Sequence, residues 1–281
     1  MRRNEDDEIQ VLGTAPKNNG CKVVWRLIAI VTGVLLIVLC VIYLSINKKE
    51  VTSEALPEIP VSMQQENPLP ADSLPEVRAQ ADSINDVVLT IYALKNLKAE
   101  LAMQMPEQTD TSVYFVLQAA DIRKDNKQIV GDFVLQGKQL SRGKRKTGYC
   151  AIIQGNITLG NTINDDMKAY SIANGCDFFR QYPLVMNGEI QENRLKGKAI
   201  RRALAQQNQD FYIIETQNRE SMYDFSEALC DMGFTNALYL VGGSSYAWWR
   251  EDAATVNELG VYNQNPLPNT NYLVFRAMKT N

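Results

Sequence analysis

Hydrophobic positions are distributed unevenly along the chain. Residues 27–46 (LIAIVTGVLLIVLCVIYLSI) form a twenty-residue run without a charge. As an α-helix this run is ~30 Å long, the thickness of a bilayer's hydrocarbon core. A buried soluble helix keeps a polar face, which this run lacks. It is bracketed by Trp25 and Arg26 on one side and by Lys48 and Lys49 on the other. A cleaved signal peptide has a shorter apolar core, about 7–15 residues, ending at a small-residue cleavage site. The exit through Leu44, Ser45, Ile46 and Asn47 offers none. The pattern predicts one uncleaved transmembrane helix.

Beyond residue 84 the apolar positions come in short bursts. Segments 86–92 (DVVLTIY), 113–117, 132–135, 149–153, 211–215, 237–241 (ALYLV) and 272–277 read as strands, with Gly155 and Asn156 in a hairpin turn. Segment 94–105 has helical spacing and stops before Pro106. Segment 221–232 reads as an amphipathic helix stopped by Gly233. Interleaved strands and helices predict an α+β fold, a layered mixed sheet with helices, preceded by the transmembrane helix.

Composition supplies the organisation. Residues 47–83 contain Pro57, Pro60, Pro68, Pro70 and Pro75 among Glu, Ser, Gln and Asn, with no aromatic. Such a segment buries too little apolar surface to offset its ordering entropy, and it reads as a stalk. The expected order is a cytoplasmic tail (1–26), the membrane helix (27–46), the stalk (47–83) and one domain (84–281). Lys17, Lys22 and Arg26 closely precede the helix, with Arg2 and Arg3 farther back, against Lys48 and Lys49 after it. That count favours a cytoplasmic N-terminus and a domain outside the cytoplasm. Residues 84–281 carry 21 basic and 21 acidic side chains, a balance that gives no support for nucleic-acid binding.

The chemistry is bounded first by what is missing. With no histidine in the chain, Ser-His-Asp and Cys-His mechanisms, a phosphohistidine and a His-ligated metal are excluded. Cys150, Cys176 and Cys230 allow at most one disulfide and form no CxxC, so neither a cysteine zinc site nor a disulfide scaffold is expected. No cofactor and no metal-ligating set is read. Acid–base work falls to Asp, Glu, Lys, Tyr or Cys.

Three segments are candidates for function. Gly242, Gly243, Ser244 and Ser245 directly follow the apolar strand 237–241. Two glycines there admit close backbone approach, and amides with two hydroxyls can cradle an anionic oxygen, although an ordinary tight turn has the same composition. The basic run 194–202 (RLKGKAIRR) suits phosphate or carboxylate, or is simply a solvated face. The run 142–146 (RGKRK) reads as an exposed loop.

The order of these motifs resembles the phosphodiester glycosidase family over residues 87–277. The resemblance is carried by Tyr182-Pro183-Leu184-Val185-Met186-Asn187-Gly188, by Ile200-Arg201-Arg202-Ala203, by the helix 225–233, and by Leu240-Val241-Gly242-Gly243-Ser244-Ser245. It implies a substrate site containing Arg201, Asn187, Gly242, Gly243, Ser244 and Ser245. In it Arg201 clamps a phosphate and the turn stabilises negative charge. Val241 stands where the family signature has an aspartate, and Gln118 stands where active members have an asparagine. Those departures imply altered or lost catalysis, and the catalytic residues stay unassigned. Glu189, Asp177 and Asp121 are the candidate general acids. Two functions follow for this domain: an active hydrolase of sugar phosphodiesters, or a pocket that recognises a phosphosugar or envelope glycan. Family members in bacteria imply a place in the bacterial inner membrane. A third reading is a membrane-tethered structural domain whose adjacent Trp248 and Trp249 dock a partner.

Overall fold

The computed structural model describes residues 74–143, 146–193, 195–252 and 254–278. The expected tail, transmembrane helix and most of the stalk lie outside these residues. No helix among the described residues is long and apolar enough to cross a membrane.

The described chain opens with a hairpin. β1 (Glu76–Ile84) pairs antiparallel with β2 (Val87–Lys95). Its turn residues Asn85 and Asp86 both have positive φ, 51° and 62°, the backbone that a tight two-residue hairpin demands and that Asn and Asp tolerate. Residues 76–83, which composition assigned to the stalk, are therefore an edge strand. Only Val77 of β1 is buried, so main-chain pairing rather than an apolar face holds it in place.

A second difference follows at once. Segment 94–105 is not a helix: β2 ends at Lys95, Asn96 reverses the chain with φ 56°, and β3 (Leu97–Ala102) continues. Leu94, Leu97 and Leu101 do fall at helical spacing. In the fold, however, Ala99 and Leu101 alternate inward from a strand, because partner strands decide the conformation of so short a segment.

The chain continues through β4 (Val113–Gln118), β5 (Phe133–Leu135), β6 (Lys138–Ser141), β7 (Gly148–Ile153) and β8 (Asn156–Asn161), then α1 (Asp166–Ala173). β9 (Asp177–Gln181), β10 (Pro183–Met186), β11 (Glu189–Ile190), β12 (Arg202–Gln207) and β13 (Asp210–Thr216) follow. After α2 (Met222–Asp231) come β14 (Asn236–Leu240), β15 (Ala247–Arg250), β16 (Val256–Leu259) and β17 (Tyr272–Ala277). Seventeen strands and two helices among the described residues make the fold sheet-dominated, more β-rich than the α+β expectation.

Three antiparallel sheets result, ordered β1-β2-β13-β12-β14-β10-β11, β16-β15-β4-β17-β3 and β6-β5-β9-β7-β8. The central strands of the first are covered on both faces, and strand alternation decides which residue meets which layer. Leu204, Leu238 and Leu240 enter a core shared with Phe115 and Leu117 of the second sheet and Phe179 of the third. Ala203, Ala205 and Ala237 enter a second core beneath Met222, Phe225, Ala228 and Leu229 of α2. That helix begins where expected: Ser221 caps it, its Oγ accepting from the Asp224 amide at 3.0 Å. Trp248 and Trp249, which point to opposite faces of β15, are both buried, at 0% and 8% exposure. Neither offers a docking surface, because both faces of that strand are covered.

Candidate functional site

The site is built where β14 ends. The Val241 amide donates to the Gln118 carbonyl at the end of β4 (3.4 Å), and the chain then turns through Gly242 to Ser245. A Cβ on Gly242 would lie 2.7 Å from the Ile200 carbonyl oxygen and 3.1 Å from the Arg202 amide nitrogen. This glycine is required by the neighbouring backbone. Gly243, at φ 68°, supplies the left-handed residue of the turn. We expect Gly242→Ala to destabilise the domain by about 1–3 kcal/mol, the usual range for overpacking against atoms that cannot yield. Urea denaturation of both forms checks this, and an unchanged midpoint would show that β12 yields after all.

The turn spends its own donors. The Gly243 amide donates to Ile200 O (3.0 Å), and the Ser245 amide to Gly242 O (3.2 Å). The Ser245 hydroxyl donates to Gln118 Oε1 at 3.0 Å. Behind the turn lies Arg202, fully buried. Its Nε donates to Glu215 Oε2 (2.7 Å), with Nη2 on the same oxygen, and its Nη1 reaches the carbonyls of Val241 (3.3 Å) and Ser245 (3.5 Å). Arg202 anchors the turn from the core side.

In front of the turn opens a cavity of about 890 Å³. Gln118, Asp121, Val241, Gly242, Ser244 and Ser245 line one side. The opposite side is formed by residues 105–109, after β3, and by residues 261–267, after β16. Tyr246 and Glu258, on the hairpin formed by β15 and β16, complete a polar wall. Gln108 Nε2 donates to both Tyr246 Oη and Glu258 Oε1 at 2.8 Å, and the Tyr246 hydroxyl donates to the same carboxylate. The Tyr246 hydroxyl, with Gln108 second, holds the Glu258 carboxyl below its ordinary 4.5. Burial first, then Glu258, pushes the Tyr246 hydroxyl up. Tyr262 meets Tyr246 edge to face, ring centroids 5.0 Å apart, and is 62% exposed at the cavity mouth.

Asp121 carries a second layer. Lys146, only 2% exposed, places Nζ 2.5 Å from Asp121 Oδ2 and 5.0 Å from the centroid of the Tyr182 ring. Gln181 Nε2 donates to the same Asp121 oxygen at 3.2 Å. Burial lowers the Lys146 ammonium pKa from its usual 10.5, and Asp121 opposes that shift. The run 142–146, read as an exposed loop, thus ends in one of the most buried charges of the domain.

The residues expected at one site divide between several places. Gly242, Ser244 and Ser245 line the cavity and Gly243 belongs to the same turn. Arg201 does not line it. Being adjacent to Arg202, it points to the opposite face of the sheet, where Nε donates to Glu220 O (2.9 Å) and Nη2 to Gly197 O (2.6 Å). Asn187, at φ 55° in the turn between β10 and β11, lies beside Asn236, at the far end of β14. Asn187 and Glu189 line a separate, smaller cavity of about 320 Å³. Asp177 is a structural clasp, accepting from the amides of Leu101 (2.8 Å) and Gln136 (2.7 Å), and burial raises its carboxyl pKa. Of the three candidate acids, only Asp121 reaches the main cavity. Gln108, Tyr246, Glu258 and Tyr262 carried no local sequence signal, since the pairing of β15 with β16 and loop packing bring them together. Among the described residues no group of three or more Cys, Asp or Glu side chains is placed to hold a metal ion.

The open cavity at strand ends, beside the Gly-Gly-Ser-Ser turn, is the main candidate site of this sheet-dominated fold. No protein-family profile matches the sequence, and no curated protein matches it. Solved structures do match in fold. One is the catalytic domain of zebrafish N-acetylglucosamine-1-phosphodiester α-N-acetylglucosaminidase, auto-inhibited by its pro-peptide, with TM-score 0.51 and 11% identity over 75% of this chain and 86% of that one. Another is a hypothetical protein from Synechocystis, with TM-score 0.52 and 12% identity, covering 71% of this chain and 62% of that one. The chain therefore shares the fold of a phosphodiester glycosidase catalytic domain, at an identity that speaks for the fold alone.

Proposed function

We propose that this chain is a membrane-anchored domain outside the cytoplasm that recognises a sugar phosphodiester or an envelope glycan in the large cavity, with the family's catalysis altered or lost. The observation that carries the reading is convergence. Gln118, Val241, Gly242, Ser244 and Ser245, singled out by motif order, line one cavity on the fold of a phosphodiester glycosidase. Val241 offers no ionisable group there, Arg201 is engaged elsewhere, and two of the turn's amides are already used. These features support recognition over turnover. The apolar run 27–46 supports anchoring, and the flanking charges support the orientation, with a bacterial inner membrane as its setting.

The test is made on the full chain in detergent micelles, with a panel of sugar phosphodiesters and envelope glycans, following hydrolysis and binding together. Binding without turnover is expected, abolished by Ser244→Trp, which fills the cavity from an exposed position of the turn. Turnover would restore the hydrolase reading. Absence of binding to the whole panel would remove the carbohydrate reading altogether.

A further inference from the structure

Resting on that reading, we infer that the ligand of the large cavity is an uncharged, hydroxyl-rich saccharide carrying no phosphate.

The cavity's chemistry is that of an acceptor-rich and aromatic site. Among the described residues, Glu107, Asp121 and Glu258 line it against one cation, Lys124, and Lys146, which pairs with Asp121, is already committed to that carboxylate. A phosphate brings more negative charge and, at neutral pH, mainly acceptor oxygens, so it repels these carboxylates and cannot donate to them. A phosphate site needs guanidinium forks or free amides. Here both neighbouring arginines are engaged: Arg201 with the carbonyls of Glu220 and Gly197, Arg202 with Glu215 and the turn's own carbonyls. The amides of Gly243 and Ser245 point back into the protein. Among the described residues this leaves Lys124 alone to compensate a bound phosphate, against three lining carboxylates.

Sugar hydroxyls fit the same groups. Each hydroxyl both donates and accepts, so it can donate to Glu107 or Glu258 while accepting from the Gln264 amide. Trp248 lies in the cavity wall with its side chain fully buried, so it contributes apolar backing rather than a donor to the site. Tyr262, largely exposed at the mouth and braced edge to face by Tyr246, offers a ring on which the apolar face of a pyranose packs.

The experiment is a saccharide array probed with the full chain in detergent micelles. Each saccharide is present in neutral, phosphorylated and amine-bearing forms, and bound species are titrated at low and high salt. Neutral saccharides are expected to bind best, with phosphorylated counterparts weaker by about tenfold or more and little salt dependence for the neutral forms. Tyr262→Ala should weaken neutral binding by about tenfold. Glu107→Lys should narrow the gap between the neutral and phosphorylated forms. Both positions are exposed, and circular dichroism checks that the variants fold. Equal or tighter binding of phosphorylated forms would overturn the inference while leaving carbohydrate recognition intact, as would a salt-sensitive preference for amines. Silence across the entire array would instead remove the recognition reading and the inference with it.

Discussion

Replacing Arg202 with leucine is expected to destabilise the domain by ~3–5 kcal/mol, the range for breaking a buried ion pair from one side. The guanidinium is fully buried and its partner carboxylate on Glu215 is only 16% exposed, so the variant strands a charge in the core shared by the sheets. Two carbonyls lose a donor as well, those of Val241 and Ser245, and both belong to the turn that lines the cavity. Arg202→Lys is not a rescue, because one ammonium cannot span the carboxylate and both carbonyls at once. The informative control is the double variant Arg202→Leu/Glu215→Leu. It removes both charges, and well-packed apolar replacements of buried pairs are often neutral or stabilising. Most of the lost stability should return in urea denaturation, while the turn remains unanchored and the saccharide binding proposed for the cavity stays weak. A single variant costing under about 1 kcal/mol would show that water reaches the pair, since exposed pairs contribute no more than that.

The contrast between Arg201 and Arg202 shows where the sequence is informative. Strands buried on both faces announce themselves as continuous apolar runs, and β4 and the segment 237–241 were legible for that reason. α2 was legible because a cap, an apolar stripe and a terminal glycine agree. The turn at 242–245 was legible as glycines after a strand. Its hydrogen-bond economy was not, because Ile200 and Gln118 are remote in sequence and the amides' partners depend on how β12 and β4 flank β14. Adjacent arginines on a strand go to opposite sides, but nothing local says which side faces the core behind the turn and which faces α2. β3 was misread because a dozen residues with leucines three and four apart satisfy a helical period until Asn96 reverses the chain. β1 was hidden by its polarity, since an edge strand with one buried side chain resembles a stalk in composition. The basic run 142–146 concealed Lys146 for a related reason. Charge density marks a segment as solvated on average, while a single member can be drawn inward by one carboxylate and one aromatic ring.

That inward lysine gives the second large effect. Asp121→Asn keeps the shape of the side chain but leaves the Lys146 ammonium, 2% exposed, with no counter-charge. A deficit of about 3 kcal/mol is expected at pH 7, set by the cost of an unpaired buried charge. Its pH dependence has a definite sign. Burial already lowers the Lys146 pKa below the ordinary 10.5 in the folded protein, and losing Asp121, the group that opposes this, lowers it further. The unfolded chain then binds the proton more tightly than the folded one, so stability rises as pH climbs from the lowered folded value toward 10.5. The deficit of Asp121→Asn relative to the parent should accordingly shrink between neutral pH and pH ~10, where Lys146 sheds its proton. Parallel urea titrations of the two proteins across that window measure it. A deficit that stays constant would mean that Lys146 leaves its buried position or is already neutral in the parent. The double variant Asp121→Ala/Lys146→Met separates these outcomes. With no charge left to bury, its own stability should lack the pH dependence that this pair contributes in the parent, while the missing carboxylate still alters the wall of the large cavity.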